Sequence, residues 1–87
     1  MEGTKNSLTF GEALEEMKAG KKVARKGWNG KGMYLYLADG KLLTEEIGDG
    51  SYPFTDTVVM KTADNKYCIG WLASQTDMLA DDWHIVE

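Results

Sequence analysis

Two tryptophans set among hydrogen-bonding residues are the part of this 87-residue sequence best equipped for chemistry. In "ARKGWNGKGM", Trp28 and Asn29 lie between Gly27 and Gly30, where the backbone is free to turn, and not inside a strand-like or helical run. Trp71 is followed closely by Ser74, Gln75, Thr76 and Asp77. An indole face stacks on any flat ring, hydroxyl and amide groups read the edge of a base or ribose, and the free N–H groups that open a helix attract a phosphate. The same residues have a plainer reading, in which both tryptophans are packing and Ser74 to Asp77 merely cap a short helix. For Trp28 and Trp71 the residue pattern leaves the two readings level, whereas Trp83, inside the strand-like "WHIV", reads as core.

Other chemistries are less well supplied. Cys68 is the only cysteine and His84 the only histidine, so a nucleophile–base pair requires two strand residues to meet on one face with an orienting acid. A single cysteine makes no internal disulfide and fits a reducing compartment. One histidine and scattered carboxylates show none of the ligand spacings of zinc or calcium sites, so no metal is expected. Gly27, Gly30 and Gly32 superficially resemble a phosphate loop, but the strand–loop–helix context and the Lys-Ser/Thr ending are missing, so the glycines are expected to serve a turn.

Charge narrows the partner. Between Met17 and Ala38 there are six cations and no acid, a local +6; four cations face fourteen acids elsewhere, giving −10 and a net −4. A cationic segment on an acidic protein suits a small anion better than a nucleic-acid backbone, which the acidic remainder repels. A solvated face of lysines is the simpler alternative. No apolar run approaches the roughly 20 residues of a membrane-spanning helix, and "MEGTKNSL" lacks the basic-then-apolar pattern of a secretion signal, so a cytoplasmic location is expected.

The elements that must position these residues form an α+β fold in one domain over 1–87, with 1–7 expected to be flexible. Thr9 and Glu12 make a capping box, Phe10, Ala13, Leu14 and Met17 recur as one helical stripe, and Gly20 stands where the helix must stop. Strands are predicted over 22–26, 33–38, 57–62, 67–72 and 83–86, the third and fourth joined by a turn at Asp64 and Asn65. This gives a small antiparallel sheet of about five strands, with the N-terminal helix packed on it and a short helix over 76–80 starting at Ser74 or Thr76. Residues 33–38 are bulky on both faces, Met33, Leu35 and Leu37 against Tyr34, Tyr36 and Ala38, so both faces are expected to be covered. Residues 39–57 read as a long loop with one helical turn at Thr44 to Ile47. A chain this short buries a limited fraction of its surface, so oligomerisation is expected.

"LTFGEALEEMKAGKKVARKGWNGKGMYLYL" and "VVMKTADNKYCIGWLASQTDMLADDWHIVE" together closely resemble the Thoeris anti-defense 2 family of small phage proteins. The likeness spans about 8–38 and 57–87, and Gly70 stands where the family usually carries proline before the second tryptophan. The resemblance implies a molecular sponge that binds glycocyclic ADP-ribose signals made by bacterial Thoeris sensors without cleaving them. It further implies homotetramers with pockets between subunits, and cyclic di- or trinucleotides held at separate sites in some relatives. On the matching positions, Trp28 and Trp71 are expected to stack on bases. Asn29, Ser74, Gln75, Thr76 and Asp77 are expected as polar contacts and Arg25 as a phosphate partner, with Met33 beside them. No cofactor is implied. Competition with an immune effector demands nanomolar binding, about −12 kcal/mol. Two stacked rings supply roughly 1–3 kcal/mol each, so charge-assisted contacts to the diphosphate must supply much of the rest. The rival classes are a module that packs its tryptophans on a host protein and, with less support, a cyclic nucleotide hydrolase.

Overall fold

The computed structural model describes residues 7–28 and 31–86. Along the chain these form α1 (Phe10–Lys18), β1 (Lys22–Arg25), β2 (Tyr34–Ala38), α2 (Gly40–Ile47), β3 (Thr57–Lys61), β4 (Tyr67–Ile69), α3 (Gln75–Leu79) and β5 (Trp83–Val86). The fold is α+β, a five-stranded antiparallel sheet with an N-terminal helix and a short helix before the last strand, as the sequence implied.

α1 begins and ends where its side chains dictate. The Thr9 hydroxyl accepts from the Glu12 N–H at 3.2 Å, and the Glu12 carboxylate accepts from the Thr9 N–H at 2.9 Å, so two donors that the first turn leaves orphaned are satisfied reciprocally. At the other end Gly20 takes φ +92°, while the N–H groups of Gly20 and Lys21 donate to the carbonyls of Met17 and Glu16. This left-handed closure is open to glycine at little cost.

The strand order is β4-β3-β2-β1-β5. Register sets Cys68, Met60, Leu35, Val23 and Ile85 in one row across the sheet, with Arg25 opposite Trp83 on the same face. α1 lies on that face and seals Ala13 and Met17 against Leu8, Val23, Leu35 and Trp83, which are all buried. Each of the larger of these side chains contributes roughly 1.5–3 kcal/mol on burial, so this single layer supplies most of the core. Leu8 bridges the edge strand β5 through paired backbone bonds to Trp83, of 2.8 and 3.2 Å.

The opposite face departs from expectation, because no helix of the described chain crosses it as α1 crosses the first. There the tyrosines shield one another, Tyr36 standing 6.3 Å from Tyr34 and 5.8 Å from Tyr67 between ring centroids, and the Lys22 ammonium sits 4.8 Å over the Tyr34 ring. Val59 is buried beneath them, whereas Tyr67 and Ile69 are 64% and 55% exposed.

Two further differences concern the segments around the sheet. The expected 39–57 loop contains a full eight-residue helix, α2, capped by Asp39, whose carboxylate accepts from the Lys41 N–H. Its first residue is a glycine because a Cβ at Gly40 would lie 2.3 Å from the Phe54 carbonyl oxygen. Thr44 then ties the returning chain, donating to the Gly40 carbonyl and accepting from the Phe54 N–H, both at 2.7 Å. A glycine at the helix start and turn formers beyond it masked this helix in the sequence. β4, in turn, stops at Ile69 and does not reach residue 72. Gly70 takes φ +87°, and the N–H groups of Gly70 and Trp71 both donate to the Val58 carbonyl, at 3.0 and 2.9 Å. Proline, fixed near −65°, cannot adopt that conformation, so the backbone that launches Trp71 depends on Gly70.

Candidate functional site

Three indoles converge at one end of the helix-bearing face. Trp28 follows the turn after β1, Trp71 follows β4, and Trp83 opens β5. Ring centroids are 5.4 Å apart for Trp28 and Trp83 and 6.3 Å for both Trp28–Trp71 and Trp71–Trp83, every pair edge-to-face at 65–82°. Aromatic quadrupoles favour this arrangement, and each such pair adds about 0.5–1.5 kcal/mol beyond the area buried. Trp83 is the hub: it is fully buried, touches Phe10 at 5.5 Å, and donates its indole N–H to the Asp77 carbonyl at 3.0 Å. It is core, as the sequence suggested. Trp28 and Trp71 lean on it but remain half-buried, each keeping part of its ring at the surface.

Behind the indoles lies a charged knot. Arg25 donates from Nε to Asp82 Oδ1 and from Nη1 to Asp77 Oδ1, both at 2.9 Å, and its side chain is 15% exposed. Asp82 Oδ2 accepts from the Gly27 N–H at 2.9 Å, and the Asp82 carbonyl accepts from the Lys26 N–H at 3.1 Å. A Cβ at Gly27 would stand 3.0 Å from Asp82 Oδ2, a tight contact that glycine avoids. The other oxygen of Asp77 accepts from both the N–H and the hydroxyl of Ser74, while the Asp77 N–H donates to the Ser74 oxygen, closing a second capping box at the start of α3. The nearby Trp28 indole also helps to keep the Asp77 carboxylate charged.

These contacts set the protonation of the knot. Hydrogen bonds from Arg25, above all, hold the Asp82 carboxyl below the usual carboxylate range against partial burial. Burial pushes Asp77 up, but donation from Ser74 and Arg25, with the nearby Trp28 indole, outweighs it and the net displacement is downward. Asp82 and then Asp77 keep the Arg25 guanidinium charged beyond its ordinary range. Groups whose folded pKa is depressed stabilise the protein fully above the unfolded value, about 3.9, and lose that contribution as pH falls through the folded value. Thermal stability and the near-ultraviolet circular dichroism of the tryptophans are therefore expected to hold from neutral pH to about pH 4 and fall together below it. A collapse centred well above pH 5, measured by the same two signals, would contradict this assignment.

The other residues singled out in the sequence are spread around this centre. Ser74 and Asp77 form the α3 cap, and Gln75 and Thr76 are exposed in its first turn. Met33 is half-buried immediately before β2. Asn29 lies outside the described residues. Of the cationic segment, Lys18 pairs with Glu15, Lys22 covers Tyr34 and Arg25 is held in the knot. Lys26 and Lys31 are exposed on either side of Trp28 in the chain, and among the described residues no carboxylate pairs with them. The clefts among the described residues include one of about 380 Å³ beside Tyr52 and Phe54 and one of about 270 Å³ between Tyr36 and Leu42, neither lined by a tryptophan.

Asp82 escaped the sequence reading. Asp82 is unremarkable in "ADDWH", and only a search for the partner of a half-buried arginine, across the whole chain, points to it. Cys68 and His84 stand on the two edge strands and on opposite faces of the sheet, so they do not meet. His84 Nδ1 is buried, with no hydrogen-bond partner among the described residues. Among the described residues no group of three His, Cys, Asp or Glu side chains could hold a metal ion, and no helix is long and apolar enough to cross a membrane.

Comparison with known proteins gives two matches. A family model, the Thoeris anti-defense 2-like domain, matches residues 8–86. A curated relative, Thoeris anti-defense 2 of Bacillus phage SP01, is 47% identical over 88 residues, an alignment that covers 94% of this chain and 98% of the relative.

Proposed function

The chain belongs to the Thoeris anti-defense 2-like family, and on that premise we propose that it is a sponge, binding glycocyclic ADP-ribose signals without cleaving them and so keeping them from the effector of Thoeris immunity. The observation that carries this reading is the pairing of two half-buried indoles, Trp28 and Trp71, from distant parts of the chain at one surface. An adenine ring placed against them gains stacking energy, roughly 1–3 kcal/mol per tryptophan. The exposed ammonium groups of Lys26 and Lys31 supply charge for the diphosphate, and Gln75 and Thr76 supply polar contacts for a base or ribose edge.

Small-molecule sites enclose most of their ligand, and two half-buried indoles alone do not do so. A second copy of the chain is the proposed closure, in a homotetramer with its pockets between subunits. The uncovered sheet face, where Tyr67 and Ile69 are exposed, and the protruding Leu42, Ile47, Tyr52 and Phe54 offer apolar surface for such assembly. The protein acts in the host cytoplasm, where these signals are made, and cyclic di- or trinucleotides are a second ligand class in this proposal.

Native mass spectrometry after incubation with glycocyclic ADP-ribose tests the reading. The expected spectrum is a tetramer carrying the ligand, and heating that complex is expected to release the nucleotide chemically unchanged. Release of a hydrolysed product would establish an enzyme instead, and a protein that retains no nucleotide in any assembly would return the tryptophans to a protein-docking role.

A further inference from the structure

Arg25 is cationic, close to Trp28 and centred in the +6 segment, which makes it the obvious candidate for a phosphate contact. Its surroundings argue for another task. The guanidinium already faces two carboxylates at 2.9 Å, so the cluster of one cation and two anions is net negative and does not by itself attract a phosphate. Every other partner in the cluster belongs to the segment that carries Trp28 or to the segment that carries α3. The Asp82 carboxylate and carbonyl accept from the N–H groups of Gly27 and Lys26, and the Trp28 backbone N–H donates to the Arg25 carbonyl at 3.3 Å.

From this geometry we propose that Arg25, clamped between Asp77 and Asp82, is a positioning residue: it locks the 26–28 turn to the α3–β5 connection and thereby fixes the plane of the Trp28 indole, rather than touching the ligand. The guanidinium is planar and presents its donors in a rigid fork, so two carboxylates held at separate donors define an orientation that a flexible ammonium would not. Asp82 is the second half of the same device, because one of its oxygens holds Arg25 and the other holds the backbone one residue before Trp28. The proposal rests on the sponge reading only for its consequence in binding; the orientation of the indole is a property of the free protein.

The two roles for Arg25 predict opposite results for Asp82→Asn. If Arg25 met a phosphate directly, removing a competing negative charge would tighten binding or leave it unchanged. As a clamp, the pair fails whichever member is altered, because the asparagine amide turns a donor toward either Arg25 Nε or the Gly27 N–H. Calorimetry with cyclic ADP-ribose and its glycocyclic isomers is therefore expected to show Asp82→Asn and Arg25→Gln each weakening binding by about tenfold or more, with Arg25→Lys between them and the wild type. In the ligand-free protein, proton–nitrogen correlation spectra are expected to show the Trp28 indole N–H signal shifted in both variants. The Trp83 indole N–H, bonded to the Asp77 carbonyl, should keep its protection and so report that the core is intact. Tighter or unchanged binding in Asp82→Asn, or an unaltered Trp28 indole signal in either variant, would overturn the proposal. Should the wild type bind none of these nucleotides, the sponge reading fails while the indole signals still decide whether Arg25 positions Trp28. Should Arg25→Gln lose the Trp83 protection and unfold, Asp82→Asn and Arg25→Lys carry the same comparison.

Discussion

Trp28→Ala is expected to weaken capture of the nucleotide by about 5- to 150-fold while leaving the protein folded. The range follows from the roughly 1–3 kcal/mol that a stacked base loses when its aromatic platform is truncated. Trp28 is half-buried and meets Trp83 and Trp71 edge-to-face, so the substitution also removes two aromatic contacts, about 0.5–1.5 kcal/mol each. That is a measurable fall in melting temperature but less than the 5–15 kcal/mol by which domains are usually stable. Trp28→Phe separates the two effects, because a phenyl ring still stacks and still packs, and it is expected to recover much of the affinity. Binding by calorimetry and folding by circular dichroism check both parts. If the alanine variant binds as the wild type does, the indole is packing and the proposed site lies elsewhere.

Residues whose structure is decided locally were legible before any coordinates. The Thr9–Glu12 box, the stripe ending at Met17, the stop at Gly20 and the left-handed turn residue Asn65 depend on contacts within a few positions, and each appears where the pattern put it. Trp83 as core was equally readable, since a strand that alternates into a single buried face leaves its large residue one place to go. What could not be read depends on partners far along the chain. α2 starts at a glycine whose necessity comes from the backbone of residues 54 to 56, and Arg25 looks like a free cation until Asp77 and Asp82 are folded against it. The convergence of Trp28 and Trp71 belongs to the same class: the resemblance to a family named both, but only the crossing from β4 to α3 explains how they become neighbours. The expectation that both sheet faces are covered exposes a related limit. Bulk on both faces of β2 signals burial, yet a single chain supplies one helix for that purpose, and the tyrosine face is left for its own rings to shield.

The cluster also ties ligand capture to folding, through Trp83. Trp83→Ala is expected to cost about 3–5 kcal/mol, the range for deleting a large buried aromatic side chain, and to lower the melting temperature by about 12–40 °C in a domain of this size. The reasons for the upper part of that range are specific. The side chain is fully buried and in contact with Phe10, Trp28 and Trp71, its N–H satisfies the Asp77 carbonyl, and its backbone pairs with Leu8 on one side and Arg25 on the other. The void left by the indole borders α1, β1 and the start of α3, none of which can close over it without moving the knot around Arg25. Trp83→Phe keeps most of the volume but leaves the Asp77 carbonyl without its donor, a smaller loss of about 1–3 kcal/mol. Scanning calorimetry on the three proteins orders them. An alanine variant that melts within a few degrees of the wild type would mean that Trp83 is not the hub, and that the two half-buried indoles owe their positions to the charged knot alone.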